Sequence, residues 1–115
     1  MLPLRIVYLD DEIDLCEIVQ EFLTSSTVSV KTFVDPAAAI RHINATKPDL
    51  ILLDYRLPNT TGADVALQLD TGIPKVLISG ELEPVGNDLF VQIFSKPIDF
   101  AKLSLFVEQF TNERK

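Results

Sequence analysis

The sequence has a single cysteine, Cys16, so no disulfide can form within the chain, and a reducing compartment such as the cytoplasm suits it. Positive charge is scarce. Ten Lys and Arg against 17 Asp and Glu leave a net charge of -7, which argues against direct binding to nucleic acid. No apolar run approaches the length of a membrane span, so no membrane partner is expected. No cationic stretch followed by an apolar one marks a signal peptide. Repeats and low-complexity linkers are missing too. The one histidine, His42, lies between Arg41 and Ile43 with no acid or nucleophile at a recognisable spacing. It reads as an exposed helix residue, with a catalytic or phospho-accepting role as the alternative. What is present is ordinary globular material: 115 residues, 47% hydrophobic and 23% charged. That is enough for one domain, residues 1–115, with a sizeable core. The chain stops soon after its last helical pattern, so no output domain is expected within it.

The stretch from Asp49 to Pro58 organises the rest. Leu50 to Leu53 are four consecutive aliphatic residues with no polar face. Such a run suits a strand covered on both sides, as in a parallel sheet. It breaks at Asp54, and Pro58, Asn59 and Gly62 mark a loop. An acid therefore stands at the carboxyl end of a buried strand, where open α/β sheets carry their sites. The plainer alternative is that Asp54 only begins a turn.

In chain order, Leu4 to Leu9 reads as the first strand and ends in Asp10-Asp11-Glu12. Leu15, Ile18, Val19, Phe22 and Leu23 recur at helical spacing over Ile13 to Ser25, with Cys16 a small core residue beside them. Asp10 or Asp11 is expected to cap this helix. Val28 to Val34 reads as a second strand. Asp35-Pro36 opens an Ala-rich helix with an N-cap acid and Pro at its first position. After the Asp54 loop, Gly62 to Leu69 predicts a short helix capped by Thr60 or Thr61, with Gly72 as its stop. Pro74 to Ile78 reads as a fourth strand running into Ser79-Gly80. Glu81 to Asp88 holds Pro84 and Gly86 and predicts no regular helix. Leu89 to Phe94 reads as a fifth strand, ending at Ser95-Lys96-Pro97. Asp99 caps a last helix with Leu103, Phe106, Val107 and Phe110 on one face.

Strands alternating with helices predict a parallel sheet covered on both faces, with all strand carboxyl ends on one edge. That edge gathers Asp10, Asp11, Asp54, Ser79 and Lys96. Clustered acids are costly unless a cation neutralises them, and Mg²⁺ is the natural hard ion for carboxylates. An aspartate can attack phosphorus to form an aspartyl-phosphate. The metal, Lys96 and the Ser79 hydroxyl could then each stabilise a phosphoryl oxygen. The alternative is a structural salt bridge between Lys96 and the acids.

These residues, in this order, resemble the receiver domain of two-component response regulators over Leu4 to Phe110. The resemblance is carried by Asp10-Asp11-Glu12, Asp54, Pro58, Gly62, Ser79-Gly80 and Lys96-Pro97. It implies a flavodoxin-like, doubly wound, three-layer αβα fold with strand order 2-1-3-4-5. It implies that Asp54 accepts phosphate from a histidine kinase or phosphotransfer protein and switches the binding of a downstream effector. It also implies Mg²⁺ held by Asp11, Asp54 and the Arg56 carbonyl, with Asp10 acting partly through water. Lys96 would contact the phosphoryl group, across a Lys96-Pro97 bond that X-Pro chemistry allows to be cis. Such a domain is a regulator that is phosphorylated and slowly loses its phosphate, not a turnover enzyme, with Arg56 and Glu81 placed to influence the attacking water.

Two departures fall on the face that signals in the family. An aromatic residue usually stands three positions before the lysine; here it is Ile93. Phe94 is one residue later and faces the other way on a strand. The Glu81–Asp88 segment is shorter than the family's fourth helix, and its reordering is the expected output step. Two other functions compete. One is a receiver-like binding module that no longer uses phosphate. The other is an aspartyl-nucleophile phosphatase, which would carry an acid two residues past the nucleophile, where Arg56 stands and cannot donate a proton at neutral pH.

Overall fold

The computed structural model describes residues 3–81 and 87–113. Five strands form one parallel sheet: β1 (Leu4–Leu9), β2 (Val28–Phe33), β3 (Leu50–Asp54), β6 (Lys75–Ser79) and β7 (Gln92–Ser95). Their order across the sheet is β2-β1-β3-β6-β7, which is the expected 2-1-3-4-5. The central strand β3 is buried at every residue, as its unbroken apolar run requires. On one face α1 (Ile13–Leu23) and α4 (Phe100–Glu113) cover Ile6, Tyr8, Leu50, Leu52, Val76 and Ile78. On the other, α2 (Pro36–Thr46) and α3 (Gly62–Ala66) cover Val7, Leu9, Ile51 and Leu53. Odd and even residues of each strand thus serve opposite layers.

Several local expectations hold. Asp35 accepts from the Ala38 N–H, with Pro36 in the first turn of α2. Thr61 caps α3 by accepting from the Asp64 N–H. Asp99 accepts from the Lys102 N–H, and the Lys96-Pro97 bond is cis. Cys16 is buried and its thiol donates to the Asp10 carbonyl. Burial pushes that thiol up to about 11, so it behaves as a small neutral core group.

Others need correction. The N-cap of α1 is Glu12, without a side-chain cap bond; Asp10 turns away into the sheet edge and Asp11 remains exposed. Helix α1 ends at Leu23 and not Ser25, and β2 ends at Phe33. Helix α3 stops after Ala66, and Gly72 lies in a later turn where its N–H donates to Asp70. The Asp54 loop contains a small antiparallel pair, β4 (Arg56–Leu57) with β5 (Thr60–Thr61), turned at Asn59, whose φ is 61°. Strand β7 begins at Gln92, while Asn87–Leu89 form a short 3-10 turn. Leu89 and Phe90 pack against the core on the α2–α3 side instead of extending the strand. Of the Glu81–Asp88 segment, residues 82–86 lie outside the described residues. His42 is half-buried against the Phe33 ring, 5.1 Å away, and burial lowers its pKa, with Lys31 and Arg5 adding to the effect.

Gly62 fixes how closely α3 meets the central strand. A Cβ there would stand 2.5 Å from the Asp54 carbonyl oxygen and 3.0 Å from Leu77. Gly62→Ala is therefore expected to destabilise the fold by about 1–3 kcal/mol, the range for overfilled cores. Thermal melting checks it, and an unchanged midpoint would contradict this packing.

Candidate phosphoacceptor site

Three strands deliver the site. Strand β1 ends before Asp10, β3 ends with Asp54, and β7 ends one residue before Lys96. Parallel registers align those ends, with Leu9 beside Leu53 and Asp54 beside Ile78. Carboxylate oxygens of Asp10, Asp11 and Asp54 all lie within 4.8 Å of one another. Asp10 and Asp54 are buried and Asp11 is exposed. Lys96 reaches over them: its ammonium is 3.0 Å from Asp54 Oδ1, 3.3 Å from Asp10 Oδ2 and 3.6 Å from Glu12.

The electrostatics follow from this crowding. Asp54 is 3% exposed. Burial pushes its carboxyl up to about 6, the Lys96 contact opposes that shift, and Asp10 and Asp11 reinforce it. Lys96 is held above its usual value: burial alone would lower it, but hydrogen bonding and attraction to Asp54 and Asp10 prevail. One ammonium thus meets Asp10, Asp54 and Glu12, with Asp11 beside them, which leaves negative charge in excess. A compact set of carboxylate oxygens is the donor set of a hard divalent cation, so the acidic pocket fits such an ion.

Ser79 is buried at the end of β6, on the strand beside Asp54, and its hydroxyl accepts from the Glu81 N–H at 2.9 Å. Arg56 follows Asp54 by two residues, with its side chain directed to Glu81: Nε and Nη2 both lie 2.6 Å from one carboxylate oxygen. The structure therefore brings Asp10, Asp11, Asp54 and Lys96 together, sets Ser79 on the neighbouring strand, and turns the Arg56 side chain outward. Phe94 packs edge-on against Phe106 at 5.7 Å on the α1–α4 side, so it does not replace the aromatic missing at Ile93.

One contributor, Tyr8, escaped the sequence reading, and Glu12 was named in it with no role of its own. Glu12 joins Lys96, and the Tyr8 hydroxyl donates to Asp10 Oδ2 at 2.5 Å. The signal for Tyr8 was available: residues two apart on a strand share a face.

Comparison with known proteins agrees with this fold. The profile of the response regulator receiver domain matches residues 6–108. The DNA-binding response regulator MtrA of Mycobacterium tuberculosis is 31% identical over 83 residues, covering 70% of this chain and 36% of that protein. The chain thus spans about a third of the length of the curated relatives it matches. A CheY-like receiver domain protein from Methanospirillum hungatei superimposes with a TM-score of 0.85 at 18% identity, covering 98% of this chain and 96% of that one. Response regulator TrrA of Thermotoga maritima, solved in complex with Mg²⁺-BeF, has a TM-score of 0.83 at 21% identity over 96% of this chain and 99% of its own. With the sheet order and the matched profile together, the chain belongs to the response regulator receiver domain family of two-component signalling.

Proposed function

We propose that Asp54 accepts a phosphoryl group from a histidine kinase or a histidine phosphotransfer protein, and that the phosphorylated domain changes its affinity for a downstream effector. The observation that carries this is the convergence of Asp10, Asp11, Asp54 and Lys96 at one sheet edge. Lys96 holds Asp54 Oδ1, and the second oxygen of that carboxylate is the attacking atom. It forms the new bond to phosphorus as the donor's bond to phosphorus breaks, and the leaving group departs with the electron pair. Lys96 stays within reach of the transferred oxygens, and the Ser79 hydroxyl is released from the Glu81 N–H to donate to one of them.

Asp10, Asp11 and Asp54, with the Arg56 carbonyl, would hold Mg²⁺, which supplies positive charge against the developing charge on phosphorus. The domain takes up one phosphoryl group per chain and loses it slowly; it acts as a regulator, not a turnover catalyst. Its surroundings are cytoplasmic in this reading, as its donors would be. No helix among the described residues is long and apolar enough to cross a membrane.

Helix α1 offers a place for the donor to dock. Ile18 is 49% exposed and Phe22 is 51% exposed, in line with half-buried Leu15. Ile18→Arg is expected to slow transfer from a donor protein at least about tenfold, as for an interface anchor, while labelling by acetyl phosphate keeps its rate. Equal slowing of both would place the defect in the pocket. The primary test of the whole reading is intact mass after incubation with acetyl phosphate and Mg²⁺.

A further inference from the structure

We propose that Tyr8 is a positioning residue for Asp10, its hidden hydroxyl holding that carboxylate ready for a divalent cation. The inference rests on the phosphoacceptor reading of the pocket and adds a member to it. Tyr8 and Asp10 are both 0% exposed. Their alternation on β1 and just beyond it puts them on one face, and the hydroxyl donates to Asp10 Oδ2 at 2.5 Å. That length is typical of a hydroxyl donating to an ionised carboxylate.

Asp10 has three donors in the described structure. Lys96 and Tyr8 meet Oδ2, and the Glu12 N–H meets Oδ1 at 2.9 Å. Lys96 is shared with Asp54 and Glu12, and in the proposed reaction it also serves the transferred oxygens. Its hold on Asp10 is therefore contested during the cycle. The Tyr8 hydroxyl has no such second duty. It is uncharged, so it fixes the carboxylate without cancelling the negative charge that attracts a cation.

A core tyrosine needs some partner for its buried hydroxyl, and a backbone carbonyl would satisfy that need. Phenylalanine would fill the same space with no polar atom at all. What this site has instead is a second layer: one group orienting another that faces the cation, an arrangement whose loss costs 10–100-fold in metal affinity in well-studied sites. A purely structural tyrosine would alter melting and leave cation affinity alone.

The test uses Mg²⁺ alone, without a phosphodonor. Calorimetric titration at pH 7 should give Tyr8→Phe about a tenfold weaker dissociation constant than wild type, with the folded state verified by circular dichroism. The chain has no tryptophan and two tyrosines, so in a Tyr55→Phe variant the Tyr8 ring carries the ultraviolet emission. A carboxylate acceptor quenches that emission, and Mg²⁺ should change it along the calorimetric isotherm. Equal affinity of wild type and Tyr8→Phe overturns the inference alone. If Tyr8→Phe fails to fold, an emission unresponsive to Mg²⁺ in Tyr55→Phe overturns it instead. A wild type that binds no Mg²⁺ overturns the pocket reading together with it.

Discussion

Acetyl phosphate and Mg²⁺ are expected to add one phosphoryl group to the wild-type chain and none to Asp54→Ala. The expectation follows from where the nucleophile stands. Asp54 ends a strand buried at every position, and one of its oxygens is already held by Lys96. Asp11 is exposed, and Asp10, though buried and also met by Lys96, has both oxygens taken up, Oδ2 by Tyr8 and Lys96 and Oδ1 by the Glu12 N–H. Lys96→Ala should keep the same site of labelling while slowing it about 10²-fold, the usual loss when one charge-stabilising donor is removed from an acyl- or phosphoryl-transfer site. Mass spectrometry of the intact chain and of its peptides reads both. Label on any residue other than Asp54, or label surviving in Asp54→Ala, would end the phosphoacceptor reading.

The second large effect is on stability, and its sign is opposite to that of most buried substitutions. In chelator, Asp54→Asn should be more stable than wild type at pH 7 by about 1–3 kcal/mol. Burial, aided by Asp10 and Asp11, raises the Asp54 carboxyl from 3.8 to about 6 in the folded chain. Between those values the folded state holds a proton that the unfolded state has released. Unfolding then releases a proton, and stability falls as pH rises from about 4 to about 6, flattening above. A shift of about two units corresponds to roughly 3 kcal/mol lost by pH 7. The asparagine variant lacks this titration, so the two proteins should converge near pH 4. In the proposed reading Mg²⁺ would bind the folded wild type and should reverse their order at pH 7 by mass action. Melting curves from pH 4 to 8, with chelator and with Mg²⁺, decide this. An asparagine variant that melts below wild type in chelator at pH 7 would show that Lys96, and not burial aided by the neighbouring acids, dominates the pocket.

Both predictions rest on residues that the sequence exposes one at a time. Apolar runs that break to Asp10-Asp11, Asp54 and Ser79 are visible because buried parallel strands stay nearly continuously apolar until they end, and Lys96 follows the half-buried β7. The caps at Asp35, Thr61 and Asp99 are visible because capping is a local hydrogen bond between near neighbours. The start of β7 was not legible. Leu89 and Phe90 are as apolar as the strand that follows, and only pairing with β6, Val76 beside Gln92, sets where the strand begins. The end of α3 escaped for a like reason. Leu67 is 68% exposed although its position continues the helical pattern, while Leu69 is buried from the turn beyond the helix. His42 looked solvated in sequence and is half-covered by Phe33 from the neighbouring strand.

The strand order came through the family resemblance, and the parts played by Tyr8 and Glu12 were not seen. Composition and apolar periodicity settle the layer architecture, and polar residues at strand ends mark Asp10, Asp11, Asp54, Ser79 and Lys96, because each depends on spacing along the chain. The direction of each side chain within the pocket does not. Whether Asp10 caps α1 or turns inward is decided by Tyr8, two residues away on the same face, whereas where Arg56 points and how much charge Lys96 must balance are settled by contacts 25 and 86 positions apart. Those contacts exist only once the sheet has closed, since hydrogen bonding and Coulomb forces act over a few ångströms of space and take no account of separation in sequence.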